Sequence, residues 1–116
     1  MKIRIKDNSI RFRLTQSEVA SLAKNGMIAS VTEFTDRPFV YAIEATEETE
    51  LSAVFIETKI VLKMPEAMIS EWISTERVGF EGESGLVKIL VEKDFVCLDN
   101  TVEDQSDNYP NPNVKC

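Results

Sequence analysis

The sequence contains no histidine, the side chain that most often serves as a general base near neutral pH and as a metal ligand. It has only two cysteines and one tryptophan. No stretch approaches the roughly 20 apolar residues that a membrane-spanning helix needs. The charges within residues 2–7 are also not followed by the apolar run of a secretory signal peptide. These absences predict a cytoplasmic protein without a membrane partner, and they argue against common hydrolases and oxidoreductases.

Basic residues are scarce overall but concentrated near the start of the chain. The net charge is −7, with 13 Lys and Arg against 20 Asp and Glu. A surface of this charge disfavours nucleic acid as a partner, because phosphates need a face rich in lysine and arginine. Residues 1–24 nevertheless carry six basic and two acidic groups. A local basic face can therefore exist on an acidic protein.

Two short alternating stretches open the chain, at residues 2–6 and 10–14. Period-two alternation predicts strands, and the polar residues between them predict a tight turn. A two-residue loop at Asp7 and Asn8 places Arg4 opposite Arg11 and Lys2 opposite Arg13. The apolar members of both strands then share the other face.

The rest of the first half predicts a helix followed by a second hairpin. Thr15 and Glu18 have the spacing of a capping box, and Asn25-Gly26 is a typical helix stop. After an acidic connection at 47–50 the pattern restarts, with Pro65 in the first turn of a second helix. The predicted strands cover residues 2–6, 10–14, 29–34, 39–45, 52–56, 59–63, 77–81 and 86–93.

The two halves resemble each other, which indicates an internal repeat of residues 2–46 and 52–94. A shift of 50 residues places Ile10 on Ile60, and near the end of each half a shift of 48 places Tyr41 on Ile89. Repeats of this size usually pack together to bury their apolar faces. We therefore expect one α+β domain over residues 1–116, with two strand-strand-helix-strand-strand halves in an antiparallel barrel-like or two-layer sheet with two helices.

The halves differ in the faces of their first hairpins. Arg4 and Arg11 correspond to Val54 and Val61. This predicts a second hairpin buried on both faces and a first hairpin buried on one. The predicted core comprises Leu22, Phe55, Ile60, Leu62, Ile69 and Trp72.

The basic face of the first hairpin is one candidate site. Like charges directly opposite each other across strands are destabilising, so Lys2, Arg4, Arg11 and Arg13 require nearby anions. Glu33 and Glu44 on neighbouring strands are one source of these anions, and the acidic tail is another. The third is a ligand, either a small anionic molecule or an acidic protein partner.

The acidic tail, residues 97–116, is the other candidate. Cys97, Asp107 and Cys116 could supply two thiolates and a carboxylate to zinc, although their spacing matches no standard finger. We expect no cofactor otherwise. A disulfide, a solvated tail and a tail packed on the body remain alternatives, and Tyr109 with Pro110 and Pro112 favours a packed tail.

Three blocks of sequence resemble a known family. They are IRIKDNSIRFRLTQSEV at 3–19, LVEKDFVC at 90–97 and EDQSDNYPNP at 103–112. Together they resemble a family of short uncharacterised bacterial proteins, and the resemblance spans nearly the whole chain. It implies a compact bacterial domain and assigns no catalytic residue.

These observations favour a binding or accessory domain without catalytic activity. Serines without a histidine partner exclude a hydrolytic triad in its common form. The first alternative is a small metal-binding protein that uses Cys97 and Cys116. The second is an enzyme or binder that acts on a phosphorylated or anionic ligand at the basic hairpin face.

Overall fold

The computed structural model describes residues 1–96 and 104–110. Its elements follow the order strand-strand-helix-strand-strand twice, so the α+β class predicted from the sequence is confirmed. The elements are β1 (Lys2–Lys6), β2 (Ser9–Leu14), α1 (Gln16–Asn25), β3 (Met27–Glu33), β4 (Pro38–Thr46), β5 (Ser52–Ile56), β6 (Lys59–Pro65), α2 (Glu66–Ser74), β7 (Gly79–Ser84) and β8 (Val87–Lys93).

The first hairpin forms in the predicted register. Arg4 faces Arg11 and Lys2 faces Arg13 across β1 and β2. Asp7 adopts a positive φ of 49° in its turn, and Glu57 adopts 54° at the matching place between β5 and β6. The last hairpin differs from expectation, since β7 continues to Ser84 and its turn is confined to two residues after that strand.

Local signals set the limits of helix α1. The Thr15 backbone N–H donates to the Glu18 carboxylate at 2.9 Å, as the capping box predicts. Gly26 ends the helix in the left-handed region with φ 75°, which glycine adopts without steric cost. Neither helix in the described part of the chain is long and apolar enough to span a membrane.

The strands form two four-stranded sheets. Sheet A has the order β1-β2-β8-β7, and sheet B has the order β3-β4-β6-β5. Within residues 1–96 the sheets do not close into a barrel, which leaves the two-layer arrangement of the predicted alternatives. The sheets are mixed rather than wholly antiparallel, because β2 pairs with β8, and β4 with β6, in parallel. Each helix carries the chain to the other sheet, so the central strands find partners from the other half.

The pairing register is the same in both sheets. Ile10 faces Ile89 in sheet A, and their counterparts Ile60 and Tyr41 face each other in sheet B. Each half contributes one hairpin to each sheet. This exchange is compatible with the predicted internal repeat, which we retain as a hypothesis about how the chain arose.

One apolar cluster forms the core and contains residues from both sheets and both helices. Leu22, Leu62 and Trp72 are fully buried there. Trp72 packs edge-on against Phe80, with ring centroids 6.5 Å apart.

The prediction that Phe55 belongs to the core is wrong. Phe55 is 68% exposed, and Val54 and Ile56 beside it are also exposed. The expectation that the second hairpin is buried on both faces is therefore wrong for β5. β5 is an edge strand of sheet B, with a neighbouring strand on one side only, and these residues lie at its end nearest the turn to β6.

Residues 104–110 lie against the end of β8 and the start of α1. The Val96 N–H donates to the Tyr109 carbonyl at 2.7 Å, and the Tyr109 N–H donates to the Asp94 carbonyl at 2.9 Å. The Tyr109 ring stands 5.9 Å from that of Phe95. The rest of the predicted packed tail, residues 97–103 and 111–116, lies outside the described residues.

Candidate functional site: the charged face of sheet A

The outer face of sheet A carries most of the charged side chains singled out by the sequence. Side chains of a strand alternate between faces, and residues paired across strands share a face. The register then aligns three rows across the sheet. We call this surface the charged face; its rows are Lys2-Arg13-Glu92-Gly79, Arg4-Arg11-Leu90-Glu81 and Lys6-Ser9-Lys88-Glu83.

Part of the basic hairpin is neutralised by β8 and the residue after it. Arg13 Nε lies 2.8 Å from Glu92 Oε1, and Arg11 Nη1 lies 3.4 Å from the same oxygen. Lys2 Nζ lies 3.0 Å from Asp94 Oδ2, and the Asp94 carboxylate is almost fully buried. The four predicted basic residues therefore share one surface with two carboxylates.

The predicted counter-ions Glu33 and Glu44 do not serve this hairpin. Both lie on sheet B, where the Glu44 Oε2 atom lies 3.8 Å from Lys59 Nζ. The expectation failed because the second neighbour of β2, beside β1, is β8 from the other half and not β3 or β4.

Arg4 differs from its basic neighbours. It faces Arg11 across the hairpin, yet it has no ion pair within residues 1–96 and 104–110. Directly opposed like charges are unfavourable unless an anion lies nearby. The Arg4 guanidinium is thus available to an outside group.

An open depression of about 800 Å³ lies over this part of the charged face. A smaller hollow of about 200 Å³ borders it and is lined by Arg4, Arg11 and Arg13 among others. The polar and charged lining of the larger depression consists of Arg4, Lys6, Ser9, Arg11, Glu81, Glu83 and Lys88.

Glu81 and Glu83 form an acidic side of the depression that sequence reasoning missed. They lie on β7, with Glu81 opposite Leu90 and Glu83 opposite Lys88. Neither glutamate makes an ion pair in the described part of the chain. Their alternation along β7 was a visible signal, but only the strand order shows that they share a surface with Arg4 and Arg11.

The second predicted site is only partly described. Asp107 lies at the start of α1, where its carboxylate accepts from the Ser17 backbone N–H at 3.2 Å and from the Ser17 hydroxyl. Among residues 1–96 and 104–110 no three His, Cys, Asp or Glu side chains could jointly hold a metal ion. Cys97 and Cys116 lie outside those residues, so the zinc site and the disulfide remain predictions.

Asp107 acts as an additional cap for α1. Hydrogen bonds from the Ser17 and Thr15 side chains lower the pKa of its carboxyl group. A carboxylate at a helix N-terminus also interacts favourably with the helix dipole. The expectation that tail acids lie on the basic hairpin is therefore wrong for Asp107.

Comparison with known proteins gives a family and no individual relative. No curated protein and no solved structure matches the chain. A family model matches residues 1–113, a range that contains both sheets, the charged face and residues 104–110. The match confirms the resemblance to an uncharacterised family, and it assigns no activity. The chain belongs to DUF7009, a family of unknown function.

Proposed function

We propose that the protein is a binding domain without catalytic activity, and that the charged face holds an anionic group of its ligand between Arg4 and Arg11. The observation that carries this proposal is the opposed arginine pair, of which Arg4 has no counter-ion within residues 1–96 and 104–110. An anion placed between the two guanidinium groups relieves their repulsion and gains charge-assisted hydrogen bonds.

The chemistry of the lining favours binding over catalysis. Arginine is always charged and matches the geometry of carboxylate and phosphate groups. The Ser9 hydroxyl, the one alcohol among the lining side chains, donates to the Lys6 carbonyl at 2.8 Å. The lining thus supplies charges and donors without a nucleophile held by a base.

The ligand reaches an open surface rather than a closed pocket. Arg4 and Lys6 are exposed, and Arg11 is half-buried beside Glu92. Exposed charge pairs contribute at most about 1 kcal/mol each. We therefore expect a modest affinity that falls as salt concentration rises.

The test measures binding of citrate and tripolyphosphate by calorimetry and by NMR shifts of the arginine side chains. Arg4→Gln with Arg11→Gln should weaken binding about tenfold, because two charge-assisted hydrogen bonds are lost. Arg37→Gln is the matched control, since Arg37 is exposed in a turn beside Asp36. Equal losses in both variants, or shifts that spare Arg4 and Arg11, would show that the anion binds elsewhere.

A further inference from the structure

We propose that the ligand of the charged face is an extended peptide segment that carries an acidic and a basic side chain. Its acidic group lies at Arg4 and Arg11, and its basic group lies at Glu81 and Glu83. This inference rests on the proposed function, and it adds the identity of the ligand class.

The charges of the depression are separated by sign across sheet A. In one row Arg4 and Arg11 lie on β1 and β2, Leu90 lies on β8, and Glu81 closes the row on β7. The adjacent row also ends in an acid, Glu83, although there Lys88 on β8 directly precedes it. Both rows therefore run from a basic side to an acidic side.

The acidic side has no partner of its own within the described residues. Glu81 and Glu83 are exposed and unpaired there, even though Lys88 is the cross-strand neighbour of Glu83. A purely anionic ligand gains attraction from the arginines and meets repulsion from these glutamates. A ligand with charges of both signs gains at both sides.

The width of the sheet sets the distance between the two charges of the ligand. Neighbouring strands lie about 4.8 Å apart. The backbones of Arg11 and Glu81, two strands apart, are therefore separated by about 10 Å, and those of Arg4 and Glu81, three strands apart, by about 14 Å. An α-amino acid is too short for this span. An extended chain advances about 3.3–3.6 Å per residue, so side chains three or four residues apart match it.

The middle of the row suits an uncharged stretch of chain. Leu90 lies half-buried between the arginines and Glu81. A short spacer between the two charged residues can therefore lie over β8 and β7.

The experiment compares two capped peptides by fluorescence anisotropy. The mixed peptide has two glutamates, a Gly-Ser-Gly spacer and two lysines. The acidic peptide has serines in place of the lysines. Glu81→Gln with Glu83→Gln should weaken the mixed peptide about fivefold and strengthen the acidic peptide, since it removes one attraction and one repulsion. Glu33→Gln on sheet B is the control and should change neither affinity.

The outcomes separate this inference from the proposed function. If the Glu81 and Glu83 replacements leave the mixed peptide unchanged or tighten its binding, the ligand class is wrong. If Arg4→Gln with Arg11→Gln still weakens the acidic peptide in that case, the anion site itself stands. Failure of both peptides to bind the unaltered protein would overturn the peptide as ligand, and the citrate and tripolyphosphate titrations would then decide the anion site alone.

Discussion

Trp72 illustrates how single residues hold the two layers together. The side chain is fully buried on α2, and its Nε1–H donates to the Val78 carbonyl at 3.0 Å. The ring also meets Phe80 of β7 edge-on. Since β7 is the strand that carries Glu81 and Glu83, this residue connects the core to the acidic side of the charged face.

Trp72→Ala should lower the free energy of unfolding by about 3–5 kcal/mol, because it removes a large buried ring and leaves a cavity. Trp72→Phe keeps a buried aromatic ring but removes one of the two donors to the Val78 carbonyl, which still accepts from the Lys93 N–H. We expect a loss of about 1–2 kcal/mol from the missing hydrogen bond and the smaller ring. Urea unfolding followed by circular dichroism measures both, since replacing Trp72 removes the sole tryptophan. A loss below about 1 kcal/mol for Trp72→Ala would contradict the observed burial.

Among the elements, α1 has the most extensively bonded N-terminus. Thr15 and Glu18 form a local cap in its first turn. The Asp107 carboxylate, 90 residues further along the chain, also accepts a hydrogen bond from the Ser17 N–H. The Gln16 N–H also donates to the Asp107 carbonyl at 3.0 Å. The helix start is therefore the place where residues 104–110 are fixed to the body.

This arrangement predicts a specific pH dependence. Hydrogen bonds from the Ser17 and Thr15 side chains lower the pKa of Asp107. A carboxyl group whose pKa is lower in the folded state contributes stability above its unfolded pKa, about 3.9 for aspartate. That contribution is lost as the pH falls below about 4 and through the folded pKa.

Asp107→Asn should therefore destabilise the protein at pH 7 and have a smaller effect at pH 3. Urea unfolding at the two pH values measures the difference. Asp36→Asn is the matched control, because Asp36 is exposed in the turn between β3 and β4 of sheet B. Equal destabilisation by Asp107→Asn at both pH values would show that its charge does not hold the helix start.

At the scale of the molecule, local features were predictable and long-range partners were not. The first hairpin's register and the cap of α1 depend on neighbouring residues, so their residue types predict them. The pairing of Ile10 with Ile89 has no local signal, and it decides that Glu92 rather than Glu33 neutralises Arg13. Half of the candidate site, the acidic side, was hidden for the same reason.

The prediction for the whole molecule concerns residues 104–110, which contact both the end of β8 and the start of α1. Asn108 is buried, and its Nδ2 donates to the Phe95 carbonyl at 3.3 Å. Lys93 Nζ lies 4.9 Å from the centre of the Tyr109 ring. Because several backbone bonds accompany these contacts, deleting residues 99–116 should cost on the order of 2–4 kcal/mol in urea unfolding.

Two substitutions at Tyr109 measure how much of that loss comes from the packing of its ring. Tyr109→Ala removes the ring that meets Phe95 and Lys93 and should reproduce about 1–2 kcal/mol of the loss. Tyr109→Phe keeps the ring and should change stability little, since the contacts involve its faces and edges. The packing argument fails if the deletion leaves stability unchanged. If the deletion costs stability while Tyr109→Ala does not, the hydrogen bonds to α1 and β8 hold the segment, and the aromatic contact contributes little.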